Sequence, residues 1–246
     1  MSLPKLDFPV YSLMLPLSKK EISFRPFLVK EQKMLLLGME SEDKEDIERN
    51  IRQVLNNCTQ TPGINIEELP ILDMELYFIH LRARSVGEIV ENKYRCENVI
   101  SPEGSPTEVC GGSMPVSINL LDIKPNMENV QNNVIKITDS ISVTMRYPRY
   151  GASQKASKQE KVSDMAFDVI VDSIESVWDG EKMVYSSEVT REDLVEFIES
   201  LNKQQFASVE GFFDTLPILN KKITTTCGKC GFNHTIEVEG LQNFFG

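Results

Sequence analysis

Four cysteine residues, arranged as two pairs, are the part of this sequence best suited to do chemistry. Cys227 and Cys230 are separated by two residues and followed by Gly231, a spacing that lets a tight turn direct two thiolates at one metal ion. Cys96 and Cys110 form the second pair, with thirteen residues between them. Four thiolates complete the coordination of a tetrahedral structural site, so the sequence predicts one Zn²⁺ held by these cysteines.

Disulfide bonds, redox chemistry and ordinary buried thiols are the alternatives for these residues. The N-terminal residues lack the continuous apolar segment of a secretory signal, which favours a reducing compartment and therefore metal binding. A redox-active pair with this spacing opens a helix, whereas residues 234–239 alternate as in a strand. His234 is a candidate substitute for Cys96, the ligand with the weakest support, and Cys58 is expected to be an ordinary thiol.

Each cysteine pair precedes a segment in which apolar residues alternate as in a β-strand, at 116–120 and at 235–238. The two halves therefore predict a zinc-ribbon-like β-module, although more than a hundred residues separate them in the sequence. Helical patterns occur both in the N-terminal part and between the two halves. The expected fold class is α+β, with N-terminal and C-terminal helical segments around the β-module.

Prolines and periodicity divide the chain into five segments. Residues 1–20 contain three prolines and are expected to form an extended arm. The remaining segments are a strand plus helical segment at 21–88, a β-rich segment with the first zinc half-site at 89–150, a helical segment at 151–217, and the second zinc half-site with a C-terminal tail at 218–246.

Hydrophobic periodicity also predicts individual elements. Residues 151–162 are polar and are expected to form a mobile link. Apolar residues from Phe167 to Trp178 recur at the spacing of one helix face and predict a single helix that stops at Gly180. Thr190 is expected to cap the following helix. Other helices are expected at 29–39, 41–55 (capped by Ser41), 72–85 and 206–213, and a β-hairpin at 134–145.

The charge and the motif content exclude several classes of function. The net charge of −11 opposes binding to the phosphates of nucleic acids, although Arg82, Arg84, Arg146 and Arg149 leave a local basic patch open. No apolar run is long enough to span a membrane. The motifs of serine hydrolases, phosphate loops, dinucleotide-binding folds and zinc proteases are all missing. The residues therefore indicate a non-enzymatic interaction or assembly protein without a small-molecule substrate.

Several segments occur in a distinctive order along the chain. They are residues 24–31, 145–148, 194–201, 205–206, 212–217, 227–231 and 239–245. This series resembles the baseplate hub subunit family of T4-like contractile-tailed bacteriophages over most of the chain, from about residue 20 onward. The resemblance implies a tail morphogenesis protein that helps to build the central baseplate hub, either as a hub component or as a hub assembly chaperone.

The resemblance also implies partners among the other baseplate hub and tail proteins. Neither nucleic acid nor membrane is expected as a partner, because of the net charge and the lack of a long apolar run. It places the protein in the host cytoplasm during assembly and leaves retention in the virion baseplate open. Phe244 and Phe245 are candidate partner-binding residues, and folding back over the ribbon is their alternative role. The competing functions are a zinc-ribbon nucleic-acid-binding or transcription accessory protein, and a zinc hydrolase with water as the fourth ligand.

Overall fold

The computed structural model describes residues 7–40, 44–101, 107–128, 130, 132–157, 159 and 161–239. Seven α-helices and eleven β-strands lie within these residues. The helices are α1 (Val29–Glu40), α2 (Lys44–Cys58), α3 (Ile71–Val86), α4 (Tyr150–Ala156), α5 (Val162–Asp172), α6 (Arg191–Glu199) and α7 (Lys203–Phe213). The strands are β1 (Tyr11–Met14), β2 (Glu21–Phe24), β3 (Ile89–Arg95), β4 (Ser113–Asn119), β5 (Lys124–Asn126), β6 (Val134–Lys136), β7 (Ser142–Met145), β8 (Ile174–Trp178), β9 (Met183–Tyr185), β10 (Ile218–Thr226) and β11 (Asn233–Glu239). None of the helices in this part of the chain has the length and apolarity needed to cross a membrane.

The first hydrophobic core lies between the β1–β2 hairpin and helices α1, α2 and α3. Phe24 of β2 packs edge-on against Tyr77 of α3, with ring centroids 5.3 Å apart, and both side chains are buried. Asp73 of α3 is also buried, and its carboxylate accepts hydrogen bonds from the backbone N–H groups of Leu17 and Ser18 at 3.0 and 2.7 Å. These bonds fix the connection between β1 and β2 onto the helix.

The β1–β2 hairpin crosses the boundary predicted at residue 20. Strand β1 lies in the region predicted as an extended arm, and it pairs with β2 in antiparallel register. Pro9 and Pro16 flank β1 rather than interrupt it, as expected because proline cannot donate a hydrogen bond within a strand. Leu15, directly after β1, is fully buried. From residue 11 onward this region is therefore part of the first hydrophobic core. The division into five segments stays a prediction.

The second core belongs to the β-module, which consists of β3, β4, β5, β10 and β11. Strand β3 pairs with β4, and β10 pairs with both β11 and β5, all antiparallel. Val116 and Ile118 of β4 are buried while the residues that alternate with them are exposed, the pattern of a strand with one face on a core. Leu219 of β10 and Val238 of β11 pack in the same core. The two sequence-distant halves therefore share one hydrophobic core in a mixed helix and sheet fold.

The third core lies between α5, α6 and α7 and a four-stranded antiparallel sheet with the order β6-β7-β8-β9. Two sequence predictions for this region are wrong. Residues 151–162, expected to be a mobile link, contain most of α4, which is anchored because Tyr150, Ala152 and Ala156 are buried. The single helix expected from Phe167 to Trp178 ends at Asp172, and the residues from Ile174 onward form β8. The segment predicted as helical thus also contains two strands.

The residues of β8 fit two periodicities at once, that of a helix face and that of a strand. Ile174 and Ser176 are buried while Glu175 between them is exposed, which is the alternation of a strand. Ile174 and Val177 are also branched at Cβ, which restricts them in a helix and suits them to a strand. Pairing with β7 on one side and β9 on the other supplies the hydrogen bonds that favour the extended conformation. Strand β9 follows β8 closely, but β7 lies about thirty residues earlier in the sequence, so local periodicity does not reveal that pairing.

Other predicted elements agree with the structure. The helices predicted at 29–39, 72–85 and 206–213 are confirmed as α1, α3 and α7, and the hairpin at 134–145 is confirmed as β6–β7. The helix predicted at 41–55 corresponds to α2, and its predicted cap Ser41 lies outside the described residues. Thr190 caps α6 as predicted: its hydroxyl accepts from the N–H of Asp193, whose carboxylate accepts from the N–H of Thr190.

Replacing this cap is a direct test of how α6 is stabilised. Thr190→Ala removes the acceptor of the Asp193 N–H and should lower the free energy of unfolding by about 1 kcal/mol. Ser187→Ala, on the exposed turn before the cap, is the matched control and should change stability very little. Urea denaturation followed by circular dichroism measures both variants, and equal stabilities would contradict a stabilising role for the cap.

Candidate metal centre

The candidate metal centre lies at one end of the β-module, where the turns of its two hairpins meet. Cys96 directly follows β3 and Cys110 precedes β4, while Cys227 and Cys230 lie in the turn between β10 and β11. The first three are buried, Cys230 is half-buried, and all four are free thiols. The structure thus brings together all four cysteines that the sequence singled out.

The four sulfur atoms are close enough to share one ion. They all lie within 4.8 Å of one another. The Sγ atoms of Cys96 and Cys230 are 3.6 Å apart, and those of Cys110 and Cys227 are 3.8 Å apart. Four sulfurs bound tetrahedrally at about 2.3 Å from an ion would lie roughly 3.8 Å from each other. The cluster can therefore hold one metal ion, and each of these two distances joins a sulfur of one hairpin to a sulfur of the other.

Both hairpins present their sulfurs with the same kind of turn. The N–H of Gly231 donates to the carbonyl of Cys227 at 2.8 Å, and the N–H of Gly111 donates to the carbonyl of Cys96 at 2.9 Å. Gly231 has φ +73° and Gly111 has φ +63°, a left-handed conformation that glycine adopts without a steric penalty. The first pair therefore forms a turn equivalent to the second, even though thirteen residues separate its cysteines.

Contacts next to the two cysteines of the first pair close this turn. Val99 and Val109 form an antiparallel bridge, and the N–H of Cys110 donates to the carbonyl of Asn98 at 2.9 Å. This closure holds Cys96 and Cys110 beside each other despite the number of residues between them. It is the physical reason that a long spacing, which weakened the case for Cys96, is compatible with the cluster.

Backbone N–H groups favour the thiolate form of the sulfurs in the second turn. Hydrogen bonds from the N–H groups of Cys230 and Lys229 lower the pKa of the Cys227 thiol to about 6. A hydrogen bond from the N–H of Phe232 lowers the pKa of the Cys230 thiol. Thiolates are the forms that bind metal ions, so the lowered pKa values of Cys227 and Cys230 favour metal binding by this turn.

Burial has the opposite effect on the first turn. It raises the pKa of Cys96 to about 12 and also raises the pKa of Cys110, although the N–H groups of Asn98 and Gly112 act in the other direction. Without a cation, two of the four sulfurs therefore favour the neutral thiol. A metal ion stabilises every coordinated thiolate, so its binding would release protons and make the affinity dependent on pH.

His234 and Lys229 contact the cluster from its edge. Nε2 of His234 lies 3.1 Å from Sγ of Cys96, and its ring packs edge-on against Phe232 at 4.8 Å. Because four sulfurs already form a complete donor set, this position suits a hydrogen bond to a ligand sulfur. Nζ of Lys229 donates to the carbonyl of Cys110 at 2.7 Å and so ties the second turn to the first.

Gly112 allows the two turns to approach each other. A Cβ atom at this position would lie 2.8 Å from Sγ of Cys227 and 3.1 Å from Cβ of Lys229, distances that side chains cannot accept without a shift. Sequence reasoning did not single out this residue, although the Gly-Gly pair after Cys110 was a signal for it. Close approach of one backbone to another is a common reason for a glycine at such a position.

Gly112→Ala should therefore separate the two cysteine pairs and weaken metal binding at least tenfold, the scale of effect that disturbing the surroundings of metal ligands produces. Gly228→Ala is the matched control, since a Cβ at Gly228 meets no atom within 4 Å and its φ is not left-handed. Competition with a chromogenic chelator measures both affinities. Equal affinities would show that the two hairpins do not need this close approach.

The arginines that left a nucleic-acid patch open are engaged in the fold. Arg84 pairs with Glu88 and Arg149 pairs with Glu68. The guanidinium of Arg82 donates to the carbonyl of Gly87 at 3.2 Å. The guanidinium of Arg146 donates to two backbone carbonyls at the junction of α5 and β8. Since these cations already have partners within the chain, they provide little free positive charge for phosphates.

Phe244 and Phe245, the candidate partner-binding residues, lie outside the part of the chain that the structure describes, so their role stays a prediction.

A family model described as T4 bacteriophage base plate protein matches residues 8–246. Comparison with curated proteins and with solved structures found no significant match. The match covers nearly the whole chain, including both cysteine pairs, and the chain therefore belongs to the T4 bacteriophage base plate protein family.

Proposed function

We propose that this chain is a non-enzymatic tail morphogenesis protein that acts in assembly of the central baseplate hub, as a hub component or as a hub assembly chaperone. The observation that carries the proposal is the match to the base plate protein family over residues 8–246. The assignment to the hub is supported by the ordered series of segments that resembles hub subunits, among them residues 24–31 and 212–217. The proposed partners are other baseplate hub and tail proteins, met in the host cytoplasm during assembly.

The proposed cofactor is one structural Zn²⁺ held by Cys96, Cys110, Cys227 and Cys230. Four cysteine sulfurs within 4.8 Å of one another form a soft donor set that favours Zn²⁺ over harder cations such as Mg²⁺ and Ca²⁺. A site with four protein ligands has no open position for an activated water, which supports a structural role and disfavours a zinc hydrolase. In this role the cysteines cross-link the β3–β4 hairpin to the β10–β11 hairpin.

A zinc-ribbon nucleic-acid-binding or transcription accessory protein is the alternative that the sequence raised. The net charge of −11 opposes it, and so do the internal partners of Arg84, Arg146 and Arg149. Fluorescence anisotropy with labelled single-stranded and duplex DNA tests it directly. Binding at physiological salt that weakens steeply as salt is raised would favour this alternative over the hub proposal.

Quantitative mass spectrometry of purified virions and of infected-cell lysate tests the hub proposal and separates its two forms. A fixed copy number per tail would identify a hub component. Abundance in lysate together with tail intermediates, and absence from virions, would identify an assembly chaperone. Presence in lysate without any association with tail or baseplate intermediates would contradict both forms.

Phe244 and Phe245 are proposed to contact a hub partner. Two aromatic side chains close together in a short segment provide apolar area that is costly to leave in water. The variant Phe244→Ala/Phe245→Ala should lose association with baseplate proteins, whereas Gln242→Ala/Asn243→Ala should retain it. If both aromatic residues can be removed without loss of association but with loss of thermal stability, they cover the chain's own β-module instead.

A further inference from the structure

A cavity with a volume of about 570 Å³ lies between the second core, which belongs to the β-module, and the third core. Its walls come from the start of α3, from the Tyr147-Pro148 segment after β7, and from residues 213–219, which connect α7 to β10. Leu72, Leu216 and Ile218 are among its apolar lining residues. The cavity, here called the central cavity, is large enough to admit two or three side chains of another polypeptide.

A second depression of about 440 Å³ adjoins the central cavity, because Phe213 and Asp214 line both. It lies among α4, α5 and α7, and its walls include Ala156, Met165 and Val162, whose surface is 79% exposed. The two adjoining depressions, both lined mainly by apolar residues, are here together called the docking groove. Two neighbouring apolar depressions suit an extended or helical peptide segment better than a compact small molecule.

All charged side chains among the described residues that line the docking groove are carboxylates. Glu75, Asp214 and Glu239 line the central cavity, and Asp214 and Glu210 line the second depression. Neither lining contains a described lysine, arginine or histidine. The groove therefore complements an apolar segment that also carries positive charge.

Glu75 is the carboxylate of the docking groove that a cationic partner would stabilise most. It lies on α3 next to Leu72, is half-buried, and makes no hydrogen bond or ion pair with any residue that the structure describes. Burial alone raises the pKa of its carboxyl group to about 7. A desolvated carboxylate without a partner destabilises the fold, so its position facing a cavity is explained if an incoming cation pairs with it.

We propose that the docking groove binds a segment of a partner protein in which a lysine or arginine is flanked by apolar residues, with the cation paired to Glu75. The apolar flanks would cover Leu72, Leu216 and Ile218, and Asp214 would attract the cation at the junction of the two depressions. This site goes beyond the proposed function, since it requires neither the hub role nor the metal.

Residues 240–246 of this chain are a weaker candidate for the groove than a partner segment. Glu239 lies on the cavity wall, but residues 240–246, which follow it, contain no lysine or arginine to pair with Glu75. Residues 1–6 contain Lys5 between Pro4 and Leu6, so they match the required chemistry. Removal of these six residues is for that reason one arm of the test.

Selection of a yeast-displayed random heptapeptide library on the full-length protein tests the proposal. The enriched peptides are expected to carry a lysine or arginine flanked by leucine, isoleucine or phenylalanine. Fluorescence anisotropy with the most enriched peptide should show an affinity about tenfold or more weaker for Glu75→Gln, because a charge-assisted hydrogen bond is lost. Glu181→Gln, on the exposed β8–β9 turn, is the matched control and should bind as the wild type does.

Two further measurements separate binding from folding. Glu75→Gln should unfold at the same temperature as the wild type or higher, since it removes a buried unpaired charge. Asp214→Lys places a cation at the C-terminal end of α7, where it suits the helix dipole, and should weaken peptide binding without loss of stability.

Several outcomes would overturn the proposal. These are a selection that enriches no sequence, enriched peptides without a basic residue, and equal affinity for Glu75→Gln and the wild type. A lower unfolding temperature for Glu75→Gln would show that the carboxylate has a structural partner. If the chain without residues 1–6 unfolds at a lower temperature and binds the peptide more tightly, the groove holds its own N-terminal segment rather than a partner.

Discussion

Addition of a strong chelator is expected to unfold the β-module and to leave the first and third hydrophobic cores folded. Binding free energy at a structural zinc site is folding free energy, on the order of 10 kcal/mol in small peptides. Cys96, Cys110 and Cys227 form a small cluster of their own with Met114, separate from the first and third cores. Hydrogen–deuterium exchange should therefore show large losses of protection in β3, β4, β10 and β11, and much smaller ones in α5 to α7.

Substitutions identify which residues hold the metal. Cys96→Ser and Cys227→Ser should both lose stoichiometric metal and lower the unfolding temperature. Cys58→Ala is the matched control for metal content, because this buried cysteine lies at the end of α2 and outside the cluster. His234→Ala should retain metal, with cobalt-substituted protein showing the absorption of four thiolates. Purified protein that contains no metal and melts identically with and without chelator would contradict the zinc proposal.

Breaking the buried ion pair between Arg25 and Glu31 is expected to give the second largest effect. The side chain of Glu31 has 0% exposure, and its carboxylate accepts from Nη2 of Arg25 at 3.0 Å and from the N–H of Leu28 at 2.8 Å. Nη2 of Arg25 also donates to the carbonyl of Asn57 at 3.1 Å. Arg25, which directly follows β2, thus connects α1 to α2, and without it Glu31 keeps, among the described residues, only the ion pair with Lys30, at 3.4 Å and 67% exposed on the lysine side. Arg25→Met alone should therefore cost about 3–5 kcal/mol of stability.

A double-mutant cycle separates the pair from the packing around it. Arg25→Met combined with Glu31→Gln should cost less than the sum of the two single changes, because neither partner is then left as a buried unpaired charge. Asp46→Asn is the control for loss of a carboxylate, since the Asp46–Arg49 pair is solvent-exposed and contributes little. Strictly additive effects in urea denaturation would show that the pair does not act as a unit.

The same pair predicts a dependence of stability on pH. Burial acts to raise the pKa of Glu31, but the hydrogen bonds from Arg25 and from the N–H of Leu28 outweigh it and lower the pKa below its ordinary value. A carboxyl group with a lowered pKa in the folded state contributes stability above its unfolded pKa and loses it as the pH falls through the folded pKa. Glu31→Gln should therefore be less stable than the wild type at neutral pH, with the difference shrinking in acid.

Local sequence features predicted some parts of the fold well. The cap of α6 at Thr190, helix α3 and the β6–β7 hairpin each depend on residues a few positions apart, so their patterns are complete within one segment. The same kind of reasoning gave a wrong prediction for residues 174–178, because their spacing fits a helix face while their alternation fits a strand. Pairing with β7, about thirty residues earlier, decided between the two.

The members of the candidate site follow from the sequence by itself, because thiol chemistry belongs to the residue type: Cys96, Cys110, Cys227 and Cys230 are identifiable from their side chains and their pairing along the chain. Tertiary structure alone decided that the first pair closes into a turn equivalent to the second, since that depends on the bridge between Val99 and Val109. It also decided that Glu75 faces a cavity without a partner among the described residues. Contacts between residues far apart in the chain set the distance between two sulfurs and the solvation of a carboxylate, and neither quantity is encoded in local spacing.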